Sequence, residues 1–510
     1  MANIGTQSIL TKIFFFIAVV SFIYPTVFVK NIPNEEERRP MQHEFDRRAK
    51  RSVSNLNPLN FTITLISSSN CVKPSIDEFP KDFMTQYQRL YQGGIVFHIL
   101  LSLYMFAALA VVCDQYFVPS LEQLSESLNL HTDVAGATFM AAGSSAPELF
   151  TSVIGVFISK GDIGLGTIVG SAVFNILFIV AVCGMFAGCV LTLNWWPLSR
   201  DCIYYLLSVG ALVAVSFDQK VYWYEAMCLV LMYIVYIIIM YFNNCLERFF
   251  SKCLNKNDFL PLSESEAESD ETKVLISDEE NSGNQDIESQ SAEKETEVVS
   301  FHNSPFTMPR DCIAGVLWIV TLPTSTLLYL TIPDCRKERW KRLYMLSFVL
   351  SMLWIAGLSY ILVWMVSIIG YTFGIPDVIM GLTFLAAGSS VPDCIASILV
   401  ARQGDGDMAV SNTVGSNIFD ILLCLGFPWL LKTTFVDYNA PVNVISGSII
   451  YTSLSLFGTV IIFVLLVLLN GWKLNRCLGF ILMILYIGFI TIAIMFELNV
   501  FGKFNILECK

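Results

Sequence analysis

Thr138-Phe-Met-Ala-Ala-Gly-Ser-Ser-Ala-Pro-Glu148 returns later in the chain as Thr383-Phe-Leu-Ala-Ala-Gly-Ser-Ser-Val-Pro-Asp393. At a constant offset of 245, 17 of the 40 residues in 138–177 are identical to those in 383–422, with no gap. The agreement continues past the motif, Gly161-Asp162 matching Gly406-Asp407 and Gly170-Ser-Ala-Val-Phe-Asn175 matching Gly415-Ser-Asn-Ile-Phe-Asp420. Apolar helices share Leu and Val by chance, but not a Gly-Ser-Ser-x-Pro-acid run, so the chain is an internal duplication.

The surroundings of both copies are those of a membrane. Of 510 residues, 55% are hydrophobic and 15% charged, mean hydropathy is +0.61, and several apolar runs are long enough to cross a bilayer. The net charge of −12 is local: residues 257–300 hold fourteen Asp/Glu and two Lys, leaving the remainder formally neutral. Charge therefore gives no reason to expect a nucleic-acid partner. Fourteen cysteines and four histidines form no Cys-x-x-Cys and no zinc or iron–sulfur spacing. No nucleophile–base pair, nucleotide loop or cofactor motif accompanies them, so an enzyme is not expected, and no cofactor either.

A Gly-Ser-Ser-x-Pro-acid run has a physical use inside a membrane helix. Pro147 and Pro392 withdraw a backbone donor and crowd the preceding turn, and Gly143 and Gly388 weaken the helix before them. A helix broken at mid-membrane frees carbonyl oxygens that protein, water or an ion must satisfy. Ser144, Ser145, Ser389 and Ser390 bring hydroxyls to those carbonyls, and Glu148 and Asp393 bring carboxylates one turn later. Oxygen-only ligands with two carboxylates suit a hard cation such as Ca2+. Ser171 and Asn175 are four apart and share a helix face, as do Ser416 and Asp420, so the next helix of each copy adds to the same site. An ionised carboxylate at the bilayer centre costs about 2.5–3.5 kcal/mol on insertion scales. Glu148, Asp393 and Asp420 thus call for positive charge, from Ca2+ with a monovalent cation or from several Na+, and two alternative loads on shared oxygens are the basis of exchange. The plainer reading of Gly and Ser is close helix packing, but packing does not require an acid after the proline in both copies. Asp162 and Asp407, at turns between helices, are expected to cap helices instead.

Outward from the motifs, residues 1–29 resemble a signal peptide or an uncleaved anchor, with Lys12 before an apolar run from Ile13. Residues 30–92 form a polar luminal or extracellular segment with a glycosylation acceptor at Asn60 and a candidate convertase cleavage after Arg51, the alternative for the latter being a solvated basic cluster. The first repeat occupies 93–247, with helices expected at 93–115, 131–158, 163–187, 201–217 and 222–243. Residues 248–311 make an acidic disordered cytoplasmic loop whose serines are open to phosphorylation. The second repeat occupies 334–500, with helices at 345–369, 375–401, 407–431, 445–470 and 476–497, and 501–510 is an extracytoplasmic tail. Lys/Arg-rich connections, notably 336–342, place the loop and those connections in the cytoplasm. That leaves 312–333, which contains Pro323, as an apolar segment expected not to span, so that the two five-helix repeats are inverted relative to each other. Cys71 and Cys509 then share the oxidising side and are a candidate disulfide, or two separate thiols.

At these residues the chain resembles the cation/Ca2+ exchanger superfamily, and within it the potassium-dependent sodium/calcium exchangers. The resemblance covers nearly all of 93–247 and 310–500. It implies an all-α polytopic membrane protein of two inverted five-helix repeats with broken helices at the ion site. By position it implies ion coordination by Ala141, Ser144, Ser145, Glu148, Ser171 and Asn175, and by Ala386, Ser389, Ser390, Asp393, Ser416 and Asp420, the alanines acting through their carbonyls. It assigns K+ dependence to Asp420. Ser389 stands where many relatives have Thr, which keeps the hydroxyl. The implied activity is alternating-access antiport of Na+ against Ca2+ moving together with K+. A Ca2+/H+ exchanger and a K+-independent Na+/Ca2+ exchanger are the nearest alternatives, a Ca2+-permeable channel the remote one. The bilayer and inorganic cations are the expected partners, a homodimer is an option, and cytoplasmic regulators are unknown. The plasma membrane is the expected location, Golgi or pigment-organelle membranes the alternatives.

Overall fold

A computed structural model describes residues 74–128, 138, 141–159, 161–243, 245–248, 312–337, 339–404 and 406–502. The signal-like run, Arg51, Asn60, Cys71, Cys509 and almost all of the acidic loop lie outside them. The chain divides into one unit of residues 1–241 and 319–510 and a second of 242–318. Only the first is considered further, apart from the helix that begins in the second.

Apolar runs become helices because a bilayer leaves each backbone N–H no other partner. In chain order they are α1 (Gly94–Ser127), α2a (Ala141–Ser144) with α2b (Ala146–Ser159), α3 (Ile163–Phe186), α4 (Trp195–Ser216) and α5 (Trp223–Tyr241). Then follow α6 (Cys312–Thr331), α7 (Tyr344–Phe373), α8a (Asp377–Ser389) with α8b (Val391–Gln403), α9 (Gly406–Val436), α10 (Ser448–Leu469) and α11 (Arg476–Glu497). Among the described residues eight helices are long and apolar enough to cross a membrane, nine when the bent α8a–α8b pair counts as one span.

Two expected boundaries move. The first helix continues twelve residues beyond 115, through a π segment at Cys113–Phe117 and past Pro119, to Ser127. Pro119 offers no N–H to the carbonyl four residues back, and Arg336 Nη2 donates to that oxygen, Gln115 O, at 2.5 Å. The fourth helix begins at Trp195 rather than 201, with Pro197 in its first turn where a missing N–H costs little. Segment 312–333 forms α6, whose second half meets the first helix of each repeat through side-chain contacts. Tyr104 OH meets Thr324 Oγ1 at 2.5 Å, and Trp354 Nε1 donates to Thr331 Oγ1 at 3.0 Å.

Four two-residue strands tie the repeats together at their ends. β1 (Leu191–Thr192), between α3 and α4, pairs antiparallel with β4 (Lys473–Leu474), between α10 and α11. β2 (Lys220–Val221), between α4 and α5, pairs antiparallel with β3 (Val442–Asn443), between α9 and α10. The α3–α4 connection thus shares an end of the bundle with α10–α11, not with its own counterpart α9–α10. Inverted repeats require this arrangement.

The apolar interior falls into two cores. The larger joins α3, α4, α5, α9, α10 and α11 around Ile176, Leu177, Tyr205, Leu212, Leu229, Val460 and Phe463. The smaller joins α1 and α7 around Leu109, Val112, Ile355, Leu362 and Val366, with Leu328 of α6, Ala146 and Ile154 of α2b, Ile163 of α3, and Met380 and Leu385 of α8a. Helices α2, α3 and α8 contribute to both.

Candidate functional site

Each copy of the motif folds as a short helix, a break and a second helix. Ser145 (φ −94°, ψ 13°) and Ser390 (φ −89°, ψ 4°) leave helical geometry, and α8a and α8b meet there at 45°. Pro147 and Pro392 sit in the first turn of the continuing helix, where proline fits. By having no N–H they leave the carbonyls of Gly143 and Gly388 without the usual helical donor. Glu148 and Asp393 occupy the same first turns, at the positive end of the helix dipole.

Helix α3 of the first repeat and α8a of the second are brought together at glycines. A Cβ on Gly170 of α3 would stand 2.4 Å from Leu382 O and 2.7 Å from the Ala386 Cβ of α8a; one on Gly381 would stand 2.4 Å from Ile163 O. Backbones cross at these glycines as small residues allow in lipid, and this sets the depth at which the site residues face one another.

Glu148, Asp420, Asn175 and Ser145 are each 1% exposed, and Asp393 5%. Ser171, Ser390, Ser416, Ser389, Ala141 and Ala386 are also buried, Ser144 half-buried. The Ser389 and Ser390 hydroxyls lie beside Glu148, and Ser145 lies beside Asp420, so each repeat's serines serve the other's acid. Cys424 Sγ contacts both Ser145 O at 3.9 Å and Asp420 Oδ1 at 3.7 Å. Asn175 Nδ2 donates to Asn417 Oδ1 at 2.9 Å, and Asn417 Nδ2 to Ala172 O at 3.1 Å, joining α3 to α9. Asn175 and Asp420 both lie in π segments, Phe174–Ile179 and Asp420–Leu425. Such bulges are frequent at functional sites, and no proline or glycine in the sequence announces these two.

Among the described residues Glu148, Asp393 and Asp420 have no ion-pair partner. Glu148 Oε2, Asn175 Oδ1 and the nearby Ser152 Oγ have no hydrogen-bond donor or acceptor. Among the described residues no three His, Cys, Asp or Glu cluster tightly enough to cage a metal by themselves. The site is a mixed set of carboxylate, hydroxyl, amide and carbonyl oxygens, suited to a hard cation held in passing. The alanine carbonyls carried over by resemblance are already engaged: Ala141 O accepts Ser145 N–H at 3.0 Å and Ala386 O accepts Ser390 N–H at 3.2 Å. Each also accepts a serine hydroxyl, Ser144 Oγ on Ala141 O at 3.3 Å and Ser389 Oγ on Ala386 O at 3.4 Å.

Two cavities approach this cluster. One of about 240 Å³ lies between α1 and the breaks, lined by Phe106, Ala110, Asp114, Ser144, Ser389, Asp393 and others. It reaches Ala396 and Asn412, near the α8–α9 connection. The other, of about 40 Å³, runs from Asp162, Lys432 and Val442 down to Ser152 and Gly155, at the end of the bundle where β2 meets β3. Ser144, Ser389 and Asp393 face the first, and Ser152, one turn beyond Glu148, faces the second. Burial pushes the Asp162 carboxyl up to about 7, against the lowering effect of the N–H it accepts from Ser446.

Asp162 and Asp407, expected from sequence to cap helices, both bond to helix entrances of the opposite repeat. Asp162 occupies the N-cap position of α3 without bonding its first turn; its Oδ2 accepts the N–H of Ser446, just before α10, at 2.5 Å. Asp407 Oδ1 accepts the N–H of Asn194, the N-cap of α4, at 2.5 Å. Each acid caps a helix entrance in the opposite repeat. Asp201, where the fourth helix was expected to begin, is 1% exposed inside α4. It joins Arg200 Nε (2.8 Å), Ser411 Oγ of α9 (2.7 Å) and Tyr236 OH of α5 (3.4 Å).

A family model described as sodium/calcium exchanger protein matches residues 98–242 and 343–495. The chain is 45% identical over 463 residues to human sodium/potassium/calcium exchanger 5, covering 87% of this chain and 91% of that one. It is 43% identical over 562 aligned positions to human sodium/potassium/calcium exchanger 3, covering 87% of each. The solved structure of the H+/Ca2+ exchanger CAX aligns over 80% of this chain and 87% of its own, at 11% identity and a TM-score of 0.48.

Proposed function

The chain belongs to the sodium/calcium exchanger family, and we propose from that premise that it moves Na+ in exchange for Ca2+ and K+ across a membrane. The observation that carries this reading is the set of three buried carboxylates, Glu148, Asp393 and Asp420, without a cationic side chain among them. Three such charges in a bilayer are stable only when a mobile cation completes the site. Its cations are the transported load itself.

In this reading Glu148 and Asp393 are the principal Ca2+ ligands. Ser144, Ser145, Ser389, Ser390, Ser171, Ser416 and Asn175, with the Ala141 and Ala386 carbonyls, supply the neutral oxygens. Asp420 sets the demand for K+. Na+ on the same oxygens replaces the outgoing load.

Alternating access follows from the two cores. α1 and α7 pack on each other in a core separate from that of α3, α4, α5, α9, α10 and α11, so the pair can move across the breaks as one body. Phe106 lies over Gly388 and Val118 over Gly143, so that motion uncovers or covers the site. Binding of either load offsets the site's own repulsion and permits the switch, whereas an empty site disfavours it. The Lys/Arg-rich end, with Arg402, Lys473 and Arg476, is cytoplasmic in this reading, and the plasma membrane is the proposed location.

The test is Ca2+ uptake into vesicles under a reversed Na+ gradient, with and without K+, on wild type and Asp420→Asn. Uptake that needs K+ in wild type and not in the variant supports the full reading. K+-indifferent uptake in both leaves Na+/Ca2+ exchange alone. Uptake driven by pH and indifferent to Na+ replaces the reading with proton antiport, and single-channel currents replace it with a pore.

A further inference from the structure

Asp114 stands outside everything assigned so far. It lies in α1, well inside the apolar part of the chain, yet it is solvent-exposed and lines the 240 Å³ cavity together with Asp393. The cavity face of α1 is Phe106, Leu109, Ala110, Cys113, Asp114 and Val118, one helical stripe. A π segment begins at Cys113, so the stripe carries a widened turn where Asp114 occurs.

No hydrogen bond or ion pair engages the Asp114 side chain among the described residues. Arg336, which reaches the next residue, is committed to Gln115 O and to Asp334 Oδ1 (3.3 Å). None of the residues lining the cavity is Lys, Arg or His, so it presents two carboxylates and no compensating charge. The opposite cavity differs: there Asp162 is accompanied by Lys432, whose ammonium donates to Val156 O at 2.8 Å. A low-dielectric cleft lined by one sign of charge concentrates counter-ions and raises their on-rate by about 10–1000-fold. Only one of the two entrances is built that way.

We propose that Asp114 is a cation-capturing residue of the cytoplasmic entrance, holding an arriving hydrated divalent cation between bulk water and the ligand Asp393. A carboxylate at this point on α1 moves with the helix that opens and closes the site, so it presents the ion to the breaks when the entrance is open. The charge acts on entry from one side. Its removal weakens apparent Ca2+ affinity at that face more than at the other. The inference rests on the exchange reading above.

The experiment is Na+-driven Ca2+ flux by the full-length chain in vesicles of known sidedness, with KM for Ca2+ measured at each face. Asp114→Asn is expected to raise KM at the cytoplasmic face about tenfold and at the other face by far less. The difference shrinks at high salt, which screens the cleft. Asp114→Glu is expected to restore most of the loss. Equal effects on both faces, an effect confined to the opposite face, or a fall in turnover with KM unchanged overturn the proposal. Absence of Na+-driven flux in wild type removes the exchange reading instead.

A second measurement needs no transport. Ala110→Cys places a thiol on the same stripe, to be labelled from the cytoplasmic face by cationic and anionic methanethiosulfonates and compared with the parent cysteines. The cationic reagent is expected to react faster by about tenfold, and the ratio to fall toward one in the Asp114→Asn background. A ratio that Asp114→Asn leaves unchanged overturns the proposal.

Discussion

Asp162 and Ser446 meet across the two repeats: the carboxylate at the α2–α3 turn accepts the N–H that opens the way into α10, at 2.5 Å. Asp407 repeats the contact from the other side, on Asn194 at the entrance to α4. Helix entrances leave backbone donors unpaired, and each repeat satisfies one for its twin. The contact therefore supports the joint between repeats rather than the helix that carries the acid.

Burial holds the Asp162 carboxyl at about 7, above its ordinary 3.8. Between those values the folded chain binds more protons here than the unfolded one, so this residue's contribution to stability falls as pH rises from about 4 to 7. Asp162→Asn keeps an acceptor for Ser446 and has no charge. Its thermal midpoint in detergent should lose that slope and exceed wild type at pH 8. Asp162→Ala should fall below wild type by about 1–3 kcal/mol, because the Ser446 donor is left unmet. Midpoints at pH 5 and pH 8 for the three proteins decide it.

Glu148→Gln and Asp393→Asn each remove one charge from a site without cationic side chains. The expected outcome is loss of Ca2+ transport with membrane insertion intact. Breaking a buried charge pair costs about 3–5 kcal/mol, which corresponds to roughly 100-fold or more in ion affinity. Thermal stability without Ca2+ should rise or hold in the same variants, since an uncompensated carboxylate is gone. Loss of both stability and transport would point to a purely structural acid.

Gly170→Ala pushes a methyl group into Leu382 O and Ala386 Cβ. Overpacking of this kind costs about 1–3 kcal/mol, and here it also pushes α3 away from α8a, which leads into the second break. Transport should fall together with the thermal midpoint. Gly357→Ala, in α7 with nothing within 4 Å of the added carbon, is the matched control, and should be neutral or more stable by about 0.5–1 kcal/mol.

Asp201→Ala leaves Arg200, Ser411 and Tyr236 without their common acceptor. A loss of about 3–5 kcal/mol is expected for a buried charge stripped of its partner, read as reduced monodispersity and midpoint. Asp201→Asn keeps two of the hydrogen bonds and should lose less. Equal behaviour of the two variants would show that Arg200 is solvated rather than dependent on Asp201.

The duplication and the candidate acids stood out in the sequence because a proline, a serine pair and an acid inside an apolar run have few other uses. The ends of α1 and α4 were not. Asp114, Pro119 and Pro197 look like stops when the chain is read locally. In the fold a π segment and Arg336 accommodate Pro119, and a first-turn position accommodates Pro197. Ser446 for Asp162, Asn194 for Asp407 and Ser411 for Asp201 were equally hidden, since each lies more than 200 residues from its acid and no periodicity encodes a contact between inverted halves. Cavity-lining Asp114 was hidden for the same reason: its importance comes from facing Asp393, which sequence does not show.

β1 ends at Thr192, and its partner β4 begins at Lys473. A ribosome has therefore delivered more than nine-tenths of the chain before the first repeat can close its own α3–α4 corner. Until then Leu191 and Thr192 of the emerging half lack their strand partners. Nonsense or frameshift lesions near the carboxyl terminus should thus abolish the protein as thoroughly as early ones, by degradation rather than by missing chemistry.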